Sequence, residues 1–397
     1  MENQLSPFML ASVILNNRGS AIDAVTAATR ILEDSPITNA GVGSSLTVDG
    51  TVECDATVMD GKSLVHGSVG AVSGVENPIL LAKKLLEAQS ESLPGGLISP
   101  SFLAGPGARA WAVTHDVPVC QDQALVTEKA RHIYNESMKY IRQLEERNGK
   151  KRKLEHKPGE GLKSDLMDTV GAVCVDCDGN VASAVSSGGI LLKHSGRVGQ
   201  AAVYGCGSWA ENNYENSDFN IAVSTSGCGE HLIRTTFGRI CAQSTFSTDP
   251  LGTSFAKDIQ EKFLDSKFLK DVDSPMGGCL SVRYDRTSGT KDLFWLHSTR
   301  SMGVAYLIAD KKNPQALFSI LPEDRVGKTV ALNCKSFSDY VTLEYEEVEE
   351  EEEEDVPPTA SSSTTQEHVT SSALSKGSPS GSGDCTASSG KTSGGDL

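Results

Sequence analysis

The sequence predicts an α/β protein, because a helical pattern and a strand hairpin both stand out in it and its hydrophobic content of 38% suffices for a sizeable core. A helix is predicted over Ala21–Glu33, beginning after the N-cap candidate Ser20 and ending before Pro36. The segment VGAVCVDCDGNVASAV has strand-like alternation on both sides of Asp178–Gly179, which is typical of a hairpin with a tight turn.

The remaining elements follow the same two patterns. Strands joined at Asp49–Gly50 are predicted within LTVDGTVECDATVMDG, and a second helix is predicted over Pro78–Ala88 behind Asn77. Further helices are predicted over Ala108–Thr114 and Thr127–Arg147. In the second half, CLSVRYDR and DLFWLHSTRSMGVAYL are hairpin-like strands.

The pair Asp168–Thr169, at the start of the hairpin, is a candidate self-cleavage site. Cutting there would free the α-amino group of Thr169, which titrates at about 8 and can act as general base for the threonine's own hydroxyl. In the uncut chain that nitrogen is an amide without basicity. We therefore expect cleavage between Asp168 and Thr169 to create the active site.

Three nearby segments supply groups that such a nucleophile needs. The second hairpin strand ends in AVSSGG, which sets Ser187 close to Thr169. In KHSGRVGQAA, Arg197 lies among glycines and offers a planar fork that can hold a carboxylate. STSGCGEHLIRTTFGRI is typical of a glycine turn entering a helix, where backbone N–H groups can stabilise an oxyanion.

Together with NAGVGSSL, ECDATVMDGKS, DTVGAV and AVSTSGCGEH, these segments resemble the type 2 asparaginase group of N-terminal nucleophile hydrolases, and within it the threonine aspartase (taspase) branch. The resemblance implies a four-layer αββα sandwich, to which residues 1–168 and 169–343 contribute an α-subunit and a β-subunit part. Members of the group start with a strand and a HAGAG-type segment, so the usual first strand is expected to be lacking here.

The resemblance also implies roles for single residues. Thr169 matches the nucleophile, and Ser187 matches the second hydroxyl that polarises it. Gly227, with Ser226, matches the oxyanion pair. Asn39 matches an asparagine of the partner subunit that faces the nucleophile.

Substrate recognition is expected to depend on Arg197, which matches the arginine that binds the substrate carboxylate. In the asparaginases, an aspartate three residues later holds the free α-amino group of the substrate, and here that position is Gln200. An uncharged amide suits the interior of a peptide, so the resemblance implies cleavage after an internal aspartate. Asp168, the residue before Thr169, agrees with that preference.

The function implied is that of an autoprocessing threonine endopeptidase that needs no metal and no other cofactor. The resemblance implies α2β2 self-association, a nuclear and cytoplasmic location, and substrates such as trithorax-type histone methyltransferases and a basal transcription factor. Two alternatives stay open. One is an asparaginase or isoaspartyl peptidase that acts on small molecules, and the other is an inactive, N-terminally truncated form that acts only as a subunit partner.

Two segments are predicted to lie outside the folded body. Residues 122–164 are predicted to form a flexible insertion, whose basic cluster Lys150–Lys153 is interpreted as part of a solvated linker or as a nuclear import signal. Residues 344–397 are acidic and then rich in Ser, Thr and Gly, so they are predicted to form a disordered tail.

Charge and composition argue against several other classes of protein. Most of the net charge of −16 lies in residues 344–397, so neither nucleic acid nor membrane binding is expected of the remainder. No signal-peptide pattern and no apolar run of membrane-spanning length is expected. Cys174 and Cys177 form a CxxC pair, but their odd offset along a strand points them to opposite faces, so no metal site is expected.

Overall fold

Two five-stranded sheets make up most of the computed structural model. The structure describes residues 6–150, 169–247, 249, 252–308 and 313–338. Several sequence predictions fall outside these ranges, namely those on Asp168, on Lys151–Lys153 of the basic cluster, on the second part of the insertion and on the 344–397 tail.

The first sheet combines strands from both sides of the predicted cleavage site. Its strands are β1 (Cys54–Asp60), β2 (His66–Val72), β3 (Phe102–Ala104), β4 (Val170–Val175) and β5 (Val181–Ser187). Their order is β3-β2-β1-β5-β4, and neighbours are antiparallel except β2 and β3. The strand pair predicted around Asp49–Gly50 is reduced to a turn with a single bridge between Leu46 and Val52.

The second sheet is built from the second half of the chain. After β5 the chain forms the strands β6 (Ser208–Glu211), β7 (Phe219–Gly227), β8 (Gly277–Asp285), β9 (Lys291–His297), β10 (Ser301–Tyr306), β11 (Gln315–Ile320) and β12 (Ala331–Phe337), of which five belong to this sheet. The order in the sheet is β12-β9-β8-β7-β6, while β10 and β11 form a separate hairpin. The predicted hairpin of CLSVRYDR with DLFWLH is β8 paired antiparallel with β9.

The helices include those that the sequence predicts. They are α1 (Pro7–Asn16), α2 (Ala21–Glu33), α3 (Pro78–Ala88), α4 (Gly105–Thr114), α5 (Glu128–Lys150), α6 (Gly229–Thr235), α7 (Phe237–Ser247) and α8 (Thr253–Ile259). At the start of α2, Ser20 Oγ accepts a hydrogen bond from Asp23 N at 3.2 Å. Ser20 is therefore the N-cap that the sequence predicted.

The start of α3 is capped differently from the prediction. Asn77 makes no side-chain hydrogen bond to the helix, and its Nδ2 instead donates to Asp34 Oδ1 at 2.8 Å. A backbone N–H of the first turn instead finds its acceptor on another helix. Glu33 Oε1, at the end of α2, accepts a hydrogen bond from Ile79 N at 3.0 Å. The end of α2 thus holds the beginning of α3.

The predicted flexible insertion is ordered in its first part, over residues 122–146. Leu125 and Ala130 are buried against the body of the protein. The hydroxyl of Tyr134, on α5, donates to Val48 O at 3.0 Å. These contacts attach α5 to the turn that precedes β1.

The sheets and helices form the four layers that the resemblance implied. Helices α2 and α3 pack on one face of the first sheet, and the other face packs on the second sheet. Helix α7, with α8 against it, covers the far side of the second sheet. Among the described helices, none combines the length and apolar character needed to cross a membrane.

Asp176 fixes the turn between β4 and β5 and attaches it to α2. Its Oδ1 accepts hydrogen bonds from Asp178 N at 3.0 Å and Asn180 N at 2.9 Å. Its Oδ2 accepts from Ala21 N, in the first turn of α2, at 3.2 Å. One buried carboxylate therefore sets the hairpin geometry and caps a helix.

The two sheets are in direct contact beside the start of β4. Ser224 Oγ, on β7, donates to Ala184 O, on β5, at 2.8 Å. A Cβ placed on Gly171 would collide with that Ser224 hydroxyl and would lie 2.6 Å from Ala184 O. Gly171 is therefore required by the close contact of the sheets, two residues from Thr169.

Gly171→Ala should destabilise the protein by about 1–3 kcal/mol, since overpacking a tight contact has a cost of that order. The matched control is Gly107→Ala on α4, where nothing lies within 4 Å of an added Cβ, so a change of less than about 1 kcal/mol is expected. Urea denaturation of both variants measures the difference. Equal stabilities would mean that the sheets have room to separate at Gly171.

Candidate active site

The pairing of β4 with β5 brings together the two hydroxyls that the sequence singled out. Val170 pairs with Ser186, so the preceding Thr169 lies beside Ser187. Thr169 Oγ1 and Ser187 Oγ are 3.0 Å apart. Ser187 is buried, and its Oγ accepts from Gly189 N at 3.0 Å. A serine oxygen has a second lone pair, so Ser187 Oγ can also accept the hydroxyl proton of Thr169 and polarise that hydroxyl.

The Thr169 nitrogen belongs to a peptide bond in the uncut chain, so it cannot yet act as a base. Ser187 is then the polar side chain in contact with the nucleophile. After a cut before Thr169, a free amine would stand on the same residue as the hydroxyl it deprotonates.

Asn39 lies against the glycines that follow Ser187. Its Nδ2 donates to Gly189 O at 2.8 Å, and its backbone oxygen accepts from Gly188 N at 2.7 Å. Its Oδ1 accepts from Ser45 N at 2.8 Å. Asn39 of the same chain therefore holds the Gly188–Gly189 turn, and its role as a partner-subunit residue that faces the nucleophile stays a prediction.

Ser226 and Gly227 end β7 at the same end of the sandwich. Gly171 on β4 faces Ser224 on β7, so the last residues of β7 lie close to the start of β4. Gly227 has a φ of 139°, a backbone conformation that favours glycine. Its backbone N–H remains the candidate oxyanion donor.

Arg197 is largely buried and forms an ion pair that the sequence did not predict. Its Nε donates to Glu230 Oε1 at 2.9 Å, and its Nη2 donates to Glu230 Oε2 at 2.8 Å. Glu230 lies in the first turn of α6, three residues after Gly227. The predicted carboxylate-binding arginine thus has a carboxylate of the protein on one edge.

Gln200 lies beside Arg197 with only 3% of its surface exposed. A Cβ on Gly229 would lie 2.5 Å from Arg197 Nη2 and 2.9 Å from Gln200 Oε1, so both side chains meet at this glycine. Gln200 Nε2 is buried without a hydrogen-bond partner. A buried donor of this kind is costly unless a ligand supplies an acceptor.

Asp55 and Lys193 are buried charges beside Arg197 that sequence reasoning missed. Asp55 Oδ1 accepts from Ala71 N at 2.8 Å and its Oδ2 accepts from Gly199 N at 2.7 Å. Burial raises the pKa of Asp55, and the charges of Lys193 and Arg197 oppose that shift. Lys193 Nζ donates to the backbone oxygen of Glu53 at 2.6 Å. The sequence feature that could have indicated Asp55 is the single carboxylate within the apolar segment CDATV.

Glu33 lies behind the site, in the layer between α2 and the first sheet. It is fully buried, and burial raises its pKa to about 8, although the hydrogen bond from Ile79 N acts in the opposite direction. The carboxyl is therefore mostly protonated at neutral pH. Glu33 also precedes the loop that carries Asn39.

The cysteines of the CxxC pair show no sign of reactive chemistry. Burial raises the pKa of Cys174 to about 12, while Cys177 is exposed in the turn. In the part of the chain that the structure describes, no three His, Cys, Asp or Glu side chains are grouped as ligands of a metal ion would be.

A known protein family matches most of the chain. A family model described as Asparaginase (Asparaginase_2) matches residues 8–266. The isoaspartyl peptidase/L-asparaginase of Bos taurus is 38% identical over 227 residues, which cover 57% of this chain and 64% of the bovine one. The Homo sapiens protein of the same name is 39% identical over 230 residues, with the same two shares.

A longer match is found in Dictyostelium discoideum. Its putative isoaspartyl peptidase/L-asparaginase is 31% identical over 336 residues, which cover 78% of this chain and 86% of that protein. By contrast, the chain spans slightly less than two thirds of the length of the bovine and human relatives.

Glu33 makes the stability of the protein depend on pH. Its folded-state pKa of about 8 exceeds the ordinary value of 4.5, so the free energy of unfolding should fall as pH rises between these values, by up to about 1.4 kcal/mol per unit. Glu33→Gln keeps an acceptor for Ile79 N and removes the titration. The free energy of unfolding of Glu33→Gln minus that of the parent chain, measured by urea denaturation, should therefore increase from pH 5 to pH 8. Parallel curves would contradict the buried, protonated carboxyl.

Proposed function

The chain belongs to the asparaginase family of hydrolases, and from that premise we propose that it is an N-terminal threonine hydrolase that cleaves peptide bonds after an internal aspartate. The proposal includes its own maturation by a cut between Asp168 and Thr169. The observation that carries the choice of substrate is the buried, uncharged amide of Gln200 beside Arg197.

The proposed chemistry is acyl transfer in two stages. In the uncut chain Thr169 Oγ1, polarised by Ser187, attacks the carbonyl carbon of Asp168, and the peptide C–N bond breaks to leave an ester and a free Thr169 amine. Water then opens the ester and releases the Asp168 carboxylate. In later turnovers the Thr169 amine takes the proton of Oγ1, which attacks the carbonyl carbon of the substrate aspartate while Gly227 N–H stabilises the tetrahedral oxyanion. The peptide C–N bond then breaks, the leaving amine takes that proton, and water hydrolyses the resulting ester.

Arg197 is proposed to bind the side-chain carboxylate of the substrate aspartate. Its guanidinium is planar and permanently charged, so it distinguishes a carboxylate from the neutral amide of asparagine. Lys193, with 2% of its surface exposed, adds a second positive charge nearby, which Asp55 balances.

Gln200 is proposed to select a substrate whose α-nitrogen is acylated. A free amino acid presents an ammonium group there, which needs an anion. The two carboxylates next to Gln200 are engaged, that of Asp55 by Ala71 N and Gly199 N and that of Glu230 by Arg197. The unpartnered Nε2 of Gln200 is a donor, which suits a peptide carbonyl and repels an ammonium.

A second candidate is hydrolysis of small β-aspartyl substrates or of asparagine. The names of the bovine, human and Dictyostelium relatives favour it. The Thr169–Ser187 pair and Arg197 serve either activity equally well. The two candidates differ in the charge required at position 200, so a substitution there distinguishes them.

Self-cleavage depends on the Thr169 hydroxyl. The parent chain should convert into two fragments, of which the second begins at Thr169, and Thr169→Ala should abolish the conversion. Thr169→Ser is the control, because it retains a hydroxyl and should still cut. Denaturing electrophoresis with mass spectrometry of the fragments is the measurement. A parent chain that stays intact, or a new N-terminus elsewhere, would contradict the proposal.

Gln200→Asp should change the substrate preference. A buried anion at this position would be unpaired against a peptide amide but would attract a free ammonium. We expect the ratio of the rates on an internal aspartyl peptide and on a free β-aspartyl dipeptide to fall at least about tenfold, which is about 1.4 kcal/mol. Gln200→Asn, nearly the same shape but uncharged, should leave the ratio close to that of the parent. An unchanged ratio in Gln200→Asp would show that selectivity lies elsewhere.

A further inference from the structure

Glu230 holds one particular edge of the Arg197 guanidinium. The two hydrogen bonds run from Nε and Nη2 to the two carboxylate oxygens, at 2.9 and 2.8 Å, so the pair is bidentate and side-on. A guanidinium has a second bidentate edge, formed by Nη1 and Nη2. The contact with Glu230 therefore leaves the Nη1 end of the fork for another carboxylate.

Glycines surround the guanidinium on its inner side. A Cβ on Gly199 would lie 2.7 Å from Nη1, and one on Gly189 would lie 2.9 Å from it. Gly199 has a φ of −92° and a ψ of −178°, which any residue can adopt, so its backbone does not demand glycine. The guanidinium therefore lies directly against the backbone of Gly199 and Gly189.

The Nη1 end is also the end that faces the nucleophile. Gly189, next to Nη1, donates its N–H to Ser187 Oγ, and Ser187 contacts Thr169. Glu230 lies on the opposite, outer side, where half of its side chain is exposed. A substrate carboxylate at Nη1 would thus have its aspartyl carbonyl near Thr169, and Glu230 would not have to move.

We propose that Glu230 is a positioning residue, which fixes the outer edge of Arg197 so that the inner edge receives the carboxylate of an aspartyl substrate. This inference rests on the proposed role of Arg197 in substrate binding. Glu230 acts through Arg197 and does not touch the substrate. It determines specificity, because a guanidinium that could swing would meet carboxylates and amides with less discrimination.

Other contacts hold Glu230 itself in place. The Cys228 thiol, two residues earlier, donates to Glu230 Oε2 at 3.6 Å. Burial alone would raise the pKa of Glu230, but the hydrogen bond and charge of Arg197 lower it below the ordinary value. Glu230 therefore remains ionised near neutral pH, and the pair with Arg197 persists there.

The test is the affinity of succinate, a dicarboxylate without an amide or an amine, measured by isothermal titration calorimetry. Glu230→Gln should weaken succinate binding at least about tenfold, since a charge-assisted hydrogen bond is worth about 1.5 kcal/mol or more. Glu230→Asp keeps the charge on a shorter side chain and should recover part of the affinity. The KM for an aspartyl peptide should be lowest in the parent chain, higher in Glu230→Asp and highest in Glu230→Gln.

The matched control is Asp271→Asn, which removes the other ion pair of α6, that of Arg234 with Asp271, without touching Arg197. Asp271→Asn should leave the affinity for succinate unchanged. A loss of affinity in this control would mean that the effect of Glu230→Gln comes from a general disturbance of α6.

Equal or tighter succinate binding by Glu230→Gln would overturn the inference, and tighter binding would show that Glu230 competes with the ligand. A parent chain that does not bind succinate would overturn it too. A parent chain that binds succinate but cleaves no aspartyl peptide would refute the proposed function alone.

Discussion

The antiparallel pairing of β4 with β5 sets the position of Thr169 and Ser187, the central pair of the candidate active site. It places Thr169 beside Ser187, and the strand then turns at Gly188 and Gly189 into the segment that carries Arg197 and Gln200. Asp176 holds the other end of the hairpin on α2. Because the hairpin is fixed at both ends, the nucleophile cannot shift without a change in the sheet.

The site is also a cluster of paired ionisable side chains, of which Lys193 and Asp55 are buried and Glu230 is half exposed. Arg197 and Lys193 are opposed by Asp55 and Glu230, and each carboxylate accepts at least two hydrogen bonds or lies in a bidentate pair. Such a cluster is tolerable in a low-dielectric interior only while it is complete. Truncating one of its buried members would leave the partner unpaired.

Family membership and substrate choice rest on different parts of the molecule. An endopeptidase and a small-molecule hydrolase could both use the sandwich, the Thr169–Ser187 contact and Arg197. The fold by itself therefore does not distinguish between these two activities. In the proposed function the difference reduces to the charge at position 200, which here is an uncharged amide with an unpartnered donor. The proposal thus assigns substrate choice to a single buried side chain.

The sequence by itself determined the features that depend on neighbouring residues. Alternation and the Asp178–Gly179 turn predicted the hairpin, the hairpin predicted that Ser187 lies near Thr169, and Ser20 was correctly predicted as the cap of α2. These follow from periodicity and local hydrogen bonds, which act over a few residues.

Only the tertiary structure decided the contacts between distant segments. Glu33 rather than Asn77 caps α3, Asn39 supports the Gly188–Gly189 turn from the same chain, and Glu230 holds Arg197 from 33 positions away. No local pattern encodes these partners, because they meet only when the two sheets and their helices pack together. The charge balance around Arg197 has the same origin, since Asp55 and Arg197 come from opposite sides of the proposed cleavage site.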